Sequence, residues 1–454
     1  YATGRSNNQT NASWVFDSAV SAGGSSSDEV FAIALDSSGN AYLTGYFRYS
    51  AHFGTYNQLT STGTDDIFVA KLSSTGNWLW AYSLLNETGG GAGRDIVVDS
   101  LGYIYVTGQF TGGVNGCSAS FSSGITPDAF VAKLDSNGTC LWATNANSVT
   151  ATMDSNSIDV DSSGNAMITG FHNDATFGSY SLLGDSKLYV AKISSSGSWL
   201  WAKEPGEDFS WGHGIAIDSN DNGIVTGVFQ SSLSLGGASL SGAGVFVTKI
   251  DSAGNWQWAV KGGSDGLDVG YGVAISQNND IYLIGDFDNS ETFGSFTINA
   301  VTGRGVWIAK MNQNGTWLWA NWAGHPNGNN HGTNIALDSN GLIMISGQYA
   351  GSGSYSSTFG QFTLPTDSNG NVFIAGLSES GNWLWAKHIG ITGNTVNPGG
   401  LALSSNGEAV VAGLFHGNDI TIGTSTVYHI GSSDIFVASM STDYDGDGIG
   451  NRLD

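Results

Sequence analysis

The sequence predicts an all-β repeat protein, and three recurring blocks predict it. The first is Ile96-Val-Val-Asp-Ser-Leu-Gly-Tyr-Ile-Tyr-Val-Thr-Gly108, which returns in altered form with its last glycine at 45, 108, 170, 227, 285, 347 and 413. The second is Phe68-Val-Ala-Lys-Leu72, matched at Phe130, Tyr189, Phe246, Trp307, Phe373 and Phe436. The third is Trp78-Leu-Trp80, matched around Trp142, Trp201, Trp258, Trp319 and Trp385. Twelve of the 15 tryptophans fall in this third block or at Trp14, so the repeat governs most of the bulky core material. Self-similarity at a period of 57 to 66 residues marks an architecture in which each unit buries its apolar face against the next.

Each block is short, rich in β-branched and aromatic residues, and bounded by Gly, Ser, Asn or Asp, which reads as strand and not helix. In the first repeat, strand a is expected at Ile33 to Asp36, b at Tyr42 to Phe47, c at Phe68 to Leu72 and d at Trp78 to Ala81. Asp36-Ser-Ser-Gly-Asn40 and Ser73-Ser-Thr-Gly-Asn77 are turns, with glycine supplying the positive φ. Four antiparallel strands at this period make a propeller blade. Blocks a, b and c occur seven times, but no tryptophan block follows the last c, Phe436 to Met440. Ser13-Trp-Val-Phe16 precedes the first a and has no partners of its own. The expectation is a seven-bladed β-propeller over residues 13–441, closed by the N-terminal strand, with Trp14 supplying strand d of the last blade. Residues 1–12 form an N-terminal extension and residues 442–454 a separate tail.

The pattern Ile33-Ala-Leu-Asp-Ser-Ser-Gly-Asn-Ala-Tyr-Leu-Thr-Gly45 followed by Asp66-Ile-Phe-Val-Ala-Lys71 resembles the SBBP-type β-propeller repeats of secreted and surface proteins. That resemblance implies an extracellular scaffold and says little about ligand. The fifth repeat departs from it with Ser276 in place of Asp, and the sixth and seventh with Gly376 and Ser439 in place of Lys. The c–d turns loosely resemble the Asp-box hairpins of sialidases, which are structural. Sialidase chemistry needs three clustered arginines, and this chain has only Arg5, Arg48, Arg94, Arg304 and Arg452, in different contexts.

Composition narrows the function classes. A chain of 454 residues with 14 Lys and Arg against 38 Asp and Glu carries a net charge of −24, which repels nucleic acids and anionic bilayers. No run of eighteen apolar residues exists to span a membrane as a helix. The chain begins at Tyr1 and reads as a processed or trimmed product. Sparse Lys, abundant Ser, Thr, Asn and Gly, and sequons at Asn8, Asn11, Asn86, Asn137 and Asn314 fit an extracellular protein. Cys117 and Cys140 form either one disulfide in an oxidising compartment or two buried thiols.

Within the blades, Trp78 and Trp80 face one side of their strand and are expected to pack between neighbours, each burying about 150–250 Å². Lys71, Lys133, Lys192, Lys249 and Lys310 on strand c and Asp36, Asp99, Asp161, Asp218 and Asp338 after strand a are candidates to pair. A solvated Lys and an Asp turn residue bonding its own backbone are the simpler readings. The a–b and c–d turns share one face and are uniform. The b–c and d–a connections share the other and vary, which is where a rigid scaffold usually binds.

On that variable face stand Asp28, Glu29, Asp95, Asp154, Glu207, Asp208, Asp265 and Asp268. They read either as a cation-attracting mouth or, more simply, as solvated charge. Trp211 with His213, and Trp322 with His325, are the candidate exposed contacts. Beyond the blades, Asp443-Tyr-Asp445-Gly-Asp447-Gly448 places carboxylates at positions 1, 3 and 5 of a loop, with the Ile449 carbonyl at 7, Asn451 at 9 and Asp454 at 12. This is the ligand spacing of a Ca²⁺ loop, and the run resembles thrombospondin type 3 repeats and dockerin-type loops. No nucleophile elbow, P-loop or dinucleotide fingerprint is present. The expected function is a non-enzymatic recognition, adhesion or structural module with bound Ca²⁺, whose partners are surface proteins, glycans or further copies of the chain. The rival is a secreted carbohydrate-active hydrolase or lyase using the acidic loop residues as acid and base.

Overall fold

The structure, a computed structural model, describes residues 13–443 and 450, apart from 56–57, 86–87, 118, 149–151, 207–208, 264–267, 326, 351–355, 366–369, 391–393 and 405–406. The described residues contain strands and no helix. In the first repeat, strands a (Asp28–Leu35), b (Ala41–Phe47), c (Asp66–Leu72) and d (Trp78–Ser83) pair antiparallel in that order. The same ladder recurs repeat after repeat, with inner strands a at Gly91–Val98, Asp154–Val160, Ser210–Ile217, Val269–Ile275, Asn329–Leu337 and Thr395–Leu403. Strand a begins five residues before the expected start, because an irregularity described below hides its alternation.

The final strand c, Asp434–Asp443, pairs along its length with the N-terminal strand Ser13–Gly23. Trp14, however, is not the counterpart of Trp78. Leu72 faces Trp78 in the first repeat, and its equivalent Met440 faces Phe16. Phe16 therefore takes the first tryptophan place. Trp14 lies two residues further out, opposite Thr442, and stacks on Trp385 of the preceding unit at 5.3 Å.

The core is divided among the junctions between units. One buried cluster joins Leu43 and Phe68 of the first repeat to Val410 and Val437 of the last. Another joins Tyr42 and Val69 of the first to Ile104 and Phe130 of the second. Indole N–H groups stitch these junctions: Trp142 Nε1 donates to the Ser195 carbonyl at 3.0 Å and Trp201 Nε1 to Ser252 at 3.1 Å, each in the next unit's c–d turn.

Three of the Lys and Asp pairs form and correct the simpler solvated reading for them, whereas Lys133 instead donates to the Ser195 carbonyl at 3.4 Å and lies over the Tyr103 ring. Lys192 meets Asp161 at 2.8 Å, Lys249 meets Asp218 at 2.7 Å and Lys71 meets Asp36 at 3.6 Å. The fifth repeat, which has Ser276 in the Asp place, supplies Asp280 instead, 2.9 Å from Lys310. The aspartates also close their own turns, as Asp36 does by accepting from the Ser38 and Asn40 N–H groups at 2.9 Å.

The b–c connections are less variable than their sequences. Most carry a small outer hairpin, such as Ser50–Phe53 with Leu59–Thr60, or Ala175–Phe177 with Tyr180–Leu182. A glycine with φ near +60°, Gly54 or Gly178, sets its turn against the indole of Trp78 or Trp199. In the second repeat Cys117 takes this backbone conformation, at φ 57°, and Cys140 takes the tryptophan place opposite Leu134. The two cysteines are bridged, so a disulfide stands where most other units pack glycine on indole and the seventh packs Gly423 on Phe16.

Candidate ligand-binding site

Each inner strand carries one extra residue at the same place. The register slips between Val30 and Ala32, Gly93 and Asp95, Ser155 and Ser157, Gly212 and Gly214, Gly270 and Gly272, Gly332 and Asn334, and Pro398 and Gly400. A bulge of this kind leaves one residue unpaired and re-aims its side chain. The bulged residues are Phe31, Arg94, Asn156, His213, Tyr271, Thr333 and Gly399.

The bulge also explains the glycine that marks every repeat. It pushes a carbonyl of strand a toward strand b, so a Cβ on Gly45 would fall on the Glu29 carbonyl oxygen, and one on Gly108 on that of Ala92. The small residue before the bulge has a second cause: a Cβ on Gly93 would collide with Thr44 of the preceding unit, and one on Gly212 with Thr169.

The first six of these bulged residues, together with Gly400 of the seventh strand, line one central pocket of about 330 Å³ to which every inner strand contributes. Their chemistry differs from unit to unit although their backbone frame does not. All six side chains are half-buried. The Arg94 guanidinium lies 4.7 Å from the Phe31 ring centre and 3.7 Å from Asp154 Oδ2. Gln109 completes the group, accepting from Arg94 Nη2 at 3.0 Å and donating to Asp154 Oδ1 at 3.3 Å. The Asn156 amide donates to the Gly212 carbonyl at 2.8 Å, and the His213 ring lies 5.4 Å from that of Tyr271. Burial holds the His213 imidazole down at about 4, keeping it uncharged at neutral pH, and pushes the Tyr271 phenol up to about 12.

Beside this pocket runs a second hollow of about 330 Å³, between the first two units, walled by Phe31, Tyr46, Asp65, Gln109 and Arg94. Phe31 and Arg94 belong to both. Tyr46 lies 6.0 Å from Phe31 and shares a hydrogen bond with Glu29.

Two carboxylates bind successive units below the bulges. Asp95 accepts from Ser157 Oγ at 2.8 Å and the Ile158 N–H at 2.9 Å in the next unit; burial raises its pKa to about 6. Asp159 accepts from the Ile217 N–H at 2.6 Å in the unit after that, and burial raises its pKa to about 7.

Of the expected contact residues, only His213 reaches the pocket. Trp211 is half-buried with its ring edge-on to Phe171 of the preceding unit at 6.4 Å, and Trp322 packs likewise on Phe287 of its own unit at 6.4 Å, so both pack within the fold and are not exposed contacts. His325 is half-buried and accepts from the Asn327 N–H at 3.0 Å, closing a turn. The solvated reading of the acidic mouth is also corrected. Asp28 is fully buried and holds the Gly24 and Arg48 N–H groups at 2.7 and 3.2 Å. Asp268 is sealed against the equally buried Glu291; burial, and then that neighbour, raise its pKa to about 8. Asp443 is buried at the end of its strand opposite Ser13. Glu207, Asp208, Asp265, Asp445, Asp447, Ile449, Asn451 and Asp454 lie outside the described residues.

Composition and spacing alone do not mark Phe31, Arg94, Asn156, Tyr271 or Thr333. The signal that marks them is a frame, small residue, variable residue, small residue, aliphatic residue, repeated as Gly93-Arg94-Asp95-Ile96 and Gly270-Tyr271-Gly272-Val273.

No protein-family model matches the chain. An uncharacterized WD repeat-containing protein of Acanthamoeba polyphaga mimivirus is 25% identical over 333 residues, which cover 57% of this chain and 24% of that protein. The chain thus spans about a quarter of the length of that relative. Among solved structures, the WD40 domain of Neurospora crassa Pan2 aligns with a TM-score of 0.47 at 9% identity, over 90% of this chain and 88% of that one. A PL25 ulvan lyase aligns with a TM-score of 0.47 at 9% identity, over 87% and 93%. A protein of unknown function from Bacteroides caccae aligns with a TM-score of 0.37 at 13% identity, over 71% and 89%. The recurring four-stranded ladder and the WD-repeat relative make this an all-β, β-propeller-like repeat protein. Among the described residues, no helix is long and apolar enough to cross a membrane.

Proposed function

We propose that the chain is an extracellular, non-enzymatic recognition module built as a closed seven-bladed ring. Closure is supported by the ladder between Ser13–Gly23 and Asp434–Asp443 and by the core shared between the first and last repeats. The observation that carries recognition is the ring of bulged positions, where one backbone frame presents a different side chain from each unit into one pocket. Structural repetition alone would not require that divergence. The partners are surface proteins, glycans or other copies of the chain, in keeping with the SBBP-type resemblance.

The test is binding of the purified chain to extracellular surface material, compared with Phe31→Ala and Tyr271→Ala variants that melt near the parent temperature. Recognition through the pocket predicts at least a tenfold loss of binding. Binding that ignores both substitutions, or hydrolysis or lysis of a polysaccharide that vanishes in Asp95→Asn, overturns the reading.

The tail is proposed to hold Ca²⁺ through Asp443, Asp445, Asp447, the Ile449 carbonyl, Asn451 and Asp454, in a loop like those of thrombospondin type 3 repeats. The support is the alternation of hard oxygen donors with glycine at position 6. Calorimetric titration is expected to give one site with a dissociation constant of about 10⁻⁴–10⁻³ M, the range of extracellular modules. Asp445→Ala with Asp447→Ala is expected to abolish it. Heat evolved equally by that double variant would refute the site.

A further inference from the structure

We propose that the central pocket and the hollow beside it together receive an uncharged saccharide, one sugar seated among the bulged side chains and the next lying over Phe31 and Tyr46. This deepens the recognition reading and rests on it.

Size admits such a ligand. The two spaces, each of about 330 Å³, meet at Phe31 and Arg94, and small-molecule clefts commonly run to about 300–1,000 Å³. The lining alternates flat rings with fixed hydrogen-bonding groups: Phe31, Tyr46 and Tyr271 against Asn156, Thr333 and Arg94. A pyranose has that same pairing, an apolar C–H face and an equator of hydroxyls.

Charge selects against acidic sugars. Arg94 is the one cation among the bulged residues, and it is already balanced by Asp154 and held by Gln109. Asp95 is occupied by Ser157 and Ile158, and Glu29 by Tyr46. An anion entering here finds no unpaired positive charge, in a molecule whose net charge is −24. Arg94 Nε is buried and has no hydrogen-bond partner among the described residues. The Asn156 amide and the Thr333 hydroxyl on the pocket lining can meet sugar hydroxyls without bringing charge.

The experiment is titration of the full chain with neutral oligosaccharides (cello-, malto-, laminari- and manno-hexaose) and with oligogalacturonate as the acidic probe. Phe31→Leu keeps apolar volume and removes the ring; Phe31→Ala and Tyr271→Ala remove both. At least one neutral oligosaccharide is expected to bind, with Phe31→Leu weakening it about tenfold and oligogalacturonate failing to compete. Preference for oligogalacturonate, no binding of any neutral probe, or affinity unchanged in all three variants overturns the proposal. Periodate treatment of the surface material separates the two readings. Surface binding lost in the pocket variants but indifferent to periodate sinks the saccharide and leaves recognition standing, whereas surface binding unaffected by the variants sinks recognition itself.

Discussion

Gly45, Gly108 and their counterparts sit in the middle of strand b, where a glycine ordinarily weakens a strand. Their cause is the bulge across the ladder, whose displaced carbonyl occupies the space of a Cβ. Gly108→Ala is therefore expected to destabilise the chain by about 1–3 kcal/mol, as overpacking of a filled site does. Gly124→Ala meets nothing within 4 Å and should stay within about 0.5 kcal/mol of the parent. Equal denaturant midpoints for the two variants would show that the close approach is not what holds glycine in strand b. The same contrast explains which residues were legible. The repeated glycine, the Asp turns and the tryptophan pairs announce themselves because most units carry them. Phe31, Arg94 and Tyr271 do not, since each differs from its counterparts and only the small residues around them recur.

In the second unit, the disulfide between Cys117 and Cys140 replaces the glycine and tryptophan that fasten most of the other outer hairpins. Reduction is expected to cost about 2–4 kcal/mol, the usual contribution of a bridge closing a loop of this order. The double variant Cys117→Gly, Cys140→Trp is expected to recover most of that loss and to make stability indifferent to reductant. Thermal melts with and without reductant decide it; a double variant no more stable than the reduced parent removes the equivalence. Sequence spacing left bridge and thiols both open, because equivalence of these positions to Gly54 and Trp78 depends on the hairpin. That hairpin was hidden in connections of unlike sequence. The strand pattern itself, and the pairing order a to d, were plain from period and turn chemistry.

Across the molecule, buried carboxyls give stability a pH dependence whose sign is fixed. The pKa values of Asp28, Asp159 and Asp268 are raised in the fold to about 7, 7 and 8, so each prefers its protonated form there. Their contribution is fully present below the ordinary aspartate value and is lost as pH rises through the raised values. His213, lowered to about 4, acts oppositely, its contribution being lost as pH falls from 6.5 toward 4. Above pH 6.5 the carboxyls act alone, and the melting temperature is expected to fall between pH 6.5 and 9. Asp159→Asn should flatten part of that slope. A melting temperature that climbs over this interval, or a slope untouched by the substitution, contradicts the assignment. The pairing of the N-terminal strand with the last strand c was readable from the missing tryptophan block, but its register was not, because Phe16 stands where a tryptophan was expected.

That pairing has a mechanical consequence. Ser13 and Asp443 are opposite one another at one extremity of an antiparallel pair, so tension drawn outward through both would peel the strands rung by rung and not load all their hydrogen bonds at once. The ladder between the two strands thus resists loss of any single rung but yields to being pulled open from that extremity.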